Sequence, residues 1–256
     1  MTGSRNDGDA PTTIDLNADV GEGHDDAPLL PYLSSVNVAC GGHAGDAETM
    51  RRTCTLARAS GLAIGAHPGF ADRATLGRRD VAVEPAEVES LVAEQVERLA
   101  RIAHDLGARI AHVKPHGALY NLAARDAAIA AAVARGVRAV DPSLALVGLA
   151  GSYSLREARA LGLRAIAEAF VDRAYREDGS LVSREEPGAL VIDPEHAAER
   201  AVRLVREERV STAAGAEFAV RAETLCVHGD TPGALAIAKR VHAALRAAGI
   251  VVAAPR

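Results

Sequence analysis

The sequence is short of the features that usually assign a protein quickly. No apolar run approaches the roughly 20 residues that span a bilayer, and the opening MTGSRNDGDAPTT has no apolar core of a secretory signal. The chain is therefore expected to be cytoplasmic, with no membrane partner. It has no excess of positive charge either. A net charge of -5 gives no electrostatic footprint for nucleic acid. Its three cysteines, Cys40, Cys54 and Cys226, show no CxxC spacing, which argues against a zinc knuckle or a disulfide framework, and they read as inert thiols. There is no GxxxxGK(S/T) phosphate loop, no GxGxxG fingerprint, no GxSxG elbow and no HExxH. A P-loop ATPase, a Rossmann dehydrogenase, an α/β-hydrolase of the usual kind and a zincin are all disfavoured.

What is present suits one α/β barrel or two small domains: 256 residues, 48% hydrophobic and 25% charged. Residues 1–12 are polar and aperiodic and read as a disordered lead-in, leaving 13–256 for the folded part. Seven β-type runs are expected, at 13–20, 35–40, 62–68, 109–116, 144–151, 163–172 and 223–230, with helical stretches between them. No linker rich in Pro, Gly or Ser divides them, which favours one parallel α/β domain. Polar residues end nearly every run instead of gathering at one switch point, so a (β/α) barrel of about seven parallel strands is expected over a doubly wound sheet. Two short β-prone pieces around 210–220 read as a hairpin decorating the barrel.

Period-2 alternation then sorts the side chains. The first strand puts Asp15, Asn17 and Asp19 on one face. The second groups Asn37, Ala39, Gly41 and His43, and the third Ala63, Gly65 and His67. HVKPHGALYN (112–121) aligns His112, Lys114 and His116; a bare His-x-His would suggest a metal, but the ammonium between them repels a cation and invites an anion. Glu168 and Asp172 share a face of the sixth strand, and Thr224, Cys226, His228 and Asp230 one of the seventh. Any single histidine has a structural explanation, and the helical His104, His196 and His242 keep it. His43, His67, His112, His116 and His228 differ by converging, because the carboxyl ends of parallel strands form one rim, where such barrels carry their sites. Gly-rich loops follow these strands, Asp46 opens a helix whose amides could face an anion, and Arg78, Arg79 and the stretch 172–184 add guanidinium groups.

Six segments in order, DLNADVGE (15–22), NVACGGHAGD (37–46), GAHPGF (65–70), HVKPHGALYN (112–121), EAFVDRAYREDGSLVSR (168–184) and CVHGDTPGA (226–234), resemble the LamB/YcsF family. That family is associated with the A subunit of the prokaryotic ATP-dependent 5-oxoprolinase, and its members resemble the seven-stranded barrels of the glycoside hydrolase/deacetylase superfamily. The resemblance implies hydrolytic opening of the lactam of 5-oxoproline to L-glutamate, with ATP as co-substrate, as its magnesium complex, and with the B and C subunits as partners. It makes Asp15, His43, His67, Lys114, His116 and His228 catalytic candidates: Asp15 as general base, Lys114 on an anionic group, the histidines as proton carriers. Asn17, Asp19, Asn37, Asp46, Glu168, Arg173 and Asp230 are candidates for binding substrate. Two alternatives stay open. One is a metal-dependent deacetylase or hydrolase with Asp15, His43 and His67 as ligands; the other is a non-catalytic component that presents the substrate.

Overall fold

The first strand, β1 (Thr13–Val20), sets the pattern of the molecule. Leu16, Ala18 and Val20 have no exposure and lie under helices, while Asp15, Asn17 and Asp19, also buried, face the inside. A strand that is polar on one face and buried on both belongs to a closed sheet with an occupied interior. The computed structural model describes residues 12–255, so the lead-in expected at 1–12 lies, except for Thr12, outside the described residues.

The first six strands run parallel and pair in chain order: β1, β2 (Ser35–Ala39), β3 (Ala63–His67), β4 (Ile110–Val113), β5 (Ala145–Leu149) and β6 (Ala165–Phe170). The chain then forms an antiparallel hairpin, β7 (Arg209–Ser211) with β8 (Glu217–Ala219), before β9 (Thr224–Cys226). β9 pairs with both β6 and β1, which closes a barrel of seven parallel strands, and β10 (Val251–Val252) adds to the start of β1. The seven-stranded α/β barrel read from the sequence is the fold.

Helices cover the outside, several of them started by a side-chain cap. α1 (Ala47–Ala59) starts where the Asp46 side chain accepts from Thr49 N, and α2 (Pro85–Asp105) opens on a Glu84/Glu87 capping box with proline in its first turn. α3 (Gly117–Arg125) and α4 (Ala127–Val140) are separated by Asp126, which caps the second. α5 (Tyr153–Ala160), α6 (Pro194–Arg206) and α7 (Ala234–Ala247) complete the ring. Among the described residues, no helix is long and apolar enough to cross a membrane.

Two features position the site. Strands β4 and β9 end earlier than the sequence suggested, yet Lys114 N and His116 N still donate to Ala66 O and Pro68 O at 2.9 and 2.8 Å. The alternation therefore runs on past Val113, and Lys114 and His116 keep their inward aim. Between β6 and α6, residues 171–193 fold back over the barrel mouth through antiparallel bridges Arg173–Leu190 and Tyr175–Leu181.

Candidate active site

A lysine fills the middle of the mouth. Lys114 is 2% exposed, and its Nζ lies 2.9 Å from Glu168 Oε1, 3.0 Å from Asp19 Oδ1, 3.1 Å from Cys226 Sγ and 3.4 Å from Asn17 Oδ1. Burial works against the ammonium, but the Asp19, Cys226 and Glu168 groups outweigh it and hold the lysine well above its usual range. Burial likewise opposes the Asp19 carboxylate, and the charges of His67 and Lys114 reverse that, keeping it well below the usual range. Such a pair is tolerable inside a protein because each charge has its partner and its hydrogen bonds.

Below the lysine, amides hold the carboxylates in place. Asn17 Nδ2 donates to Glu168 Oε1 and Thr224 Oγ1, and Asn37 Nδ2 donates to Asn17 Oδ1 and Asp19 Oδ1. His112 Nε2 lies 2.8 Å from Asn37 Oδ1, and burial with the Lys114 charge pushes its pKa to about 4, so the neutral ring donates there. The bulk of that ring fits only because β3 carries Gly65, where a Cβ would come 2.1 Å from His112 Nε2.

Beside the lysine is a knot of three imidazoles and one carboxylate. His67 Nδ1 is 2.7 Å from Lys114 O and His116 Nε2 is 2.8 Å from Leu76 O, so both rings spend an N–H on a backbone carbonyl. Their remaining nitrogens, His67 Nε2 and His116 Nδ1, face one another at 2.9 Å. In neutral rings that contact would set lone pair against lone pair. One further proton on His67 resolves it, with Asp19 Oδ2 at 3.3 Å as counter-charge; burial opposes this proton, but Asp19 raises the His67 pKa above its usual value. Glu22 Oε1 lies 2.8 Å from His43 Nε2 and 3.2 Å from His116 Nδ1. The His43 ring stacks on His116 at 3.7 Å between centroids, burial lowers its pKa to about 4, and its Nδ1 has no partner among the described residues.

The same knot has the donor chemistry of a divalent-cation site. Ligand atoms of Glu22, His43, His67 and His116 all lie within 4.8 Å of one another, and two of the rings are already oriented by carbonyls on their far nitrogens, as metal-bound imidazoles are. The residues fit such an ion. Asp19, Cys226 and His228 also converge, but the Lys114 ammonium already stands against Asp19 and Cys226.

On the opposite wall, His228 Nδ1 lies 3.0 Å from Asp172 Oδ1, and Asp172 Oδ2 accepts from His228 N and Thr231 Oγ1. Burial opposes the Asp172 charge, His228 more than offsets this, and the carboxyl is held at about 2. With Nδ1–H given to Asp172, the His228 ring offers Nε2 as a base toward a cavity of about 1110 Å³, whose lining also includes Asp19, Glu22, His67, Lys114, His116 and Tyr120.

The structure thus brings His43, His67, Lys114, His116, His228, Asp19 and Glu168 together, and places Arg173 and Asp230 on the cavity's outer wall. Asn17 and Asn37 lie beneath, their amides committed to neighbours. Asp15 and Asp46 stand apart. Asp15 is four residues earlier on β1 than Asp19, about 13 Å along a strand, and it accepts from the hydroxyls of Ser34, Ser35 and Thr224 at the closed end. Burial raises its pKa. It is out of reach of a base's task, and the metal trio Asp15, His43 and His67 does not form. Asp46 is an exposed helix cap. Glu22 escaped the sequence reading although it ends the segment DLNADVGE; Gly21, at φ 78°, turns the chain just past β1 and brings the carboxylate back over the mouth.

Fold and site together define a (β/α) barrel with an acid–base mouth at the carboxyl ends of its strands. The chain belongs to the LamB/YcsF family, whose model matches residues 14–256. It is 48% identical over 249 residues to the 5-oxoprolinase A subunit of Geobacillus kaustophilus, covering 95% of this chain and 97% of that protein. It is 50% identical over 247 residues to the 5-oxoprolinase A subunit of Heliobacterium modesticaldum, covering 94% and 97%. The crystal structure of the lactam utilization protein from Thermus thermophilus superposes with a TM-score of 0.89 at 45% identity, covering 95% of this chain and 100% of that one.

Proposed function

We propose that this chain is the ring-opening subunit of an ATP-dependent 5-oxoprolinase, a cytoplasmic hydrolase that converts 5-oxo-L-proline and water to L-glutamate. The observation that carries the reading is the buried Lys114 ammonium, fixed by Asp19 and Glu168 on the cavity floor between protonated His67 and the His228–Asp172 pair. The likeness of the whole chain to proteins named as the A subunit of 5-oxoprolinase supports it.

Opening an unstrained lactam needs help at three atoms. Water must lose a proton as it attacks the carbonyl carbon, the carbonyl oxygen must be stabilised as it gains charge, and the ring nitrogen must gain a proton as the C–N bond breaks. His228 Nε2, its tautomer fixed by Asp172, takes the water proton. The positive charges of Lys114 and protonated His67 stabilise the oxygen electrostatically. The one proton held between His67 Nε2 and His116 Nδ1 goes to the leaving nitrogen. ATP, as its magnesium complex, supplies the driving force by transferring its γ-phosphoryl group to the lactam oxygen with release of ADP; water attack with C–N cleavage then leaves an acyl phosphate, and a second water releases phosphate and L-glutamate. The missing phosphate loop supports a reading in which the B and C subunits handle part of the nucleotide. Glutamate release from 5-oxoproline and ATP tests the reading: turnover is expected with this chain plus both partners and not with this chain alone. Failure of the full set, with every component folded, overturns the substrate assignment.

The convergence of Glu22, His43, His67 and His116 favours one additional reading. These four residues would hold a divalent cation, which when bound polarises a carbonyl oxygen as a Lewis acid. Metal analysis of protein purified without chelator tests it. Stoichiometric metal that disappears in a folded Glu22→Gln variant supports the reading, and metal-free, fully active protein rejects it.

A further inference from the structure

The outer part of the cavity differs from its lysine-centred floor. The segment folded over the mouth brings Arg173 and Arg184 to the cavity wall, and the loop after β3 brings Arg78. Two of these three guanidiniums, Arg78 and Arg184, share a single carboxylate. Asp230 Oδ2 lies 2.5 Å from Arg78 Nη2 and 3.1 Å from Arg184 Nη1, which also reaches Oδ1 at 3.1 Å.

Arg173 is left over. It is 6% exposed, its Nη2 donates to Val182 O at 2.6 Å, and its Nε is buried without a partner among the described residues. Among the described residues no carboxylate lies within the 4.0 Å of a salt bridge. Burial and then the charge of Arg184 push its pKa down to about 10, against an opposing pull from Asp172, and Arg78 lowers it further. It remains charged at neutral pH. A buried guanidinium with an idle N–H and no carboxylate in contact is costly unless an anion arrives to complete it.

We propose that Arg78, Arg173 and Arg184 form a subsite for a phosphoryl dianion at the outer end of the cavity. Counting only the carboxylate in contact with them, the three guanidiniums leave two positive charges in excess, which a dianion neutralises and a carboxylate only halves. The planar forks of arginine suit the several oxygens of a tetrahedral group. The phosphoryl group could be carried by a phosphorylated small substrate or by the end of a nucleotide. The charge count that defines the subsite does not depend on the lactam reading, and binding can be measured without turnover.

Calorimetric titration of the full chain with inorganic phosphate, methylphosphonate, acetate and a non-hydrolysable ATP analogue tests this. Phosphate and methylphosphonate are expected to bind, and Arg173→Met and Arg184→Met each to weaken them about tenfold or more. Acetate is expected to bind more weakly than either and to lose little in the variants. Because Arg173 also holds Val182 O, its variant could fold poorly; the more exposed Arg184→Met keeps the test decisive. Binding of the ATP analogue with the same Arg184 dependence identifies the source as a nucleotide, whereas methylphosphonate binding alone identifies a small phosphorylated compound. Absent phosphate binding, or unchanged binding in folded Arg184→Met protein, overturns the proposal.

Discussion

His67 Nε2 and His116 Nδ1 stand 2.9 Å apart while the other nitrogen of each ring is committed to a backbone carbonyl, Lys114 O and Leu76 O. Neither ring can swap tautomers without losing a carbonyl bond, so the pair functions as a unit with one proton to place. His67→Gln and His116→Gln should each lower kcat for glutamate formation by about a hundredfold or more, within the usual range for losing an acid–base group. Steady-state kinetics of the reconstituted enzyme, with circular dichroism to verify the fold, measures this. A variant within about threefold of wild type removes that residue from the mechanism.

Lys114 balances two buried carboxylates, so its removal should be felt in stability as well as in rate. Lys114→Met leaves Glu168 without its counter-charge and Asp19 with only that of His67, and should cost about 3 kcal/mol or more in chemical denaturation. Adding Glu168→Gln removes one of those charges and should restore much of the loss, with no return of activity. Recovery of both together would make the lysine purely structural.

Gly65 marks where backbone gives way to a ring. A Cβ there would meet His112 Nε2 at 2.1 Å and drive the ring off Asn37 Oδ1. Gly65→Ala should destabilise the protein by about 2 kcal/mol through overpacking and a lost buried hydrogen bond. A lower denaturation midpoint measures it; an unchanged midpoint would show that β3 and β4 can separate freely.

Asp172 gives the fold an acid-sensitive element. Its carboxyl is held at about 2 in the folded protein, against roughly 3.9 in an unfolded chain. A depressed pKa contributes stability that is present above the unfolded value and fades as pH falls from about 4 towards 2. The contribution is about 2 kcal/mol. Asp172→Asn should therefore be less stable than wild type at pH 7, and the gap should narrow as the pH falls below about 4. Urea midpoints at pH 7 and pH 3 measure both arms, and a gap independent of pH would rule out the ionic account.

Much of this was legible in the sequence, for a physical reason. Alternation along a strand fixes the face of each side chain, so Asn17, Asp19, Asn37 and Glu168 could be turned inward on period alone. It says nothing about height along the barrel axis. Asp15 and Asp19 share a face, yet one lies at the closed end and the other at the mouth. Glu22 lies past the strand, where Gly21 breaks the period. Cys226 read as an inert thiol, and only the crossing of the barrel by the long Lys114 side chain puts its sulfur 3.1 Å from an ammonium.

The central claim is that ring opening takes place around Lys114 in this barrel. The most direct measurement is ATP-dependent glutamate release by the complete complex, assembled with wild-type chain or with the Lys114→Met/Glu168→Gln chain, with assembly verified by size exclusion. The predicted result is a rate lower by about a thousandfold, as for losing electrostatic stabilisation of a developing oxyanion. An assembled variant complex releasing glutamate at the wild-type rate would contradict it.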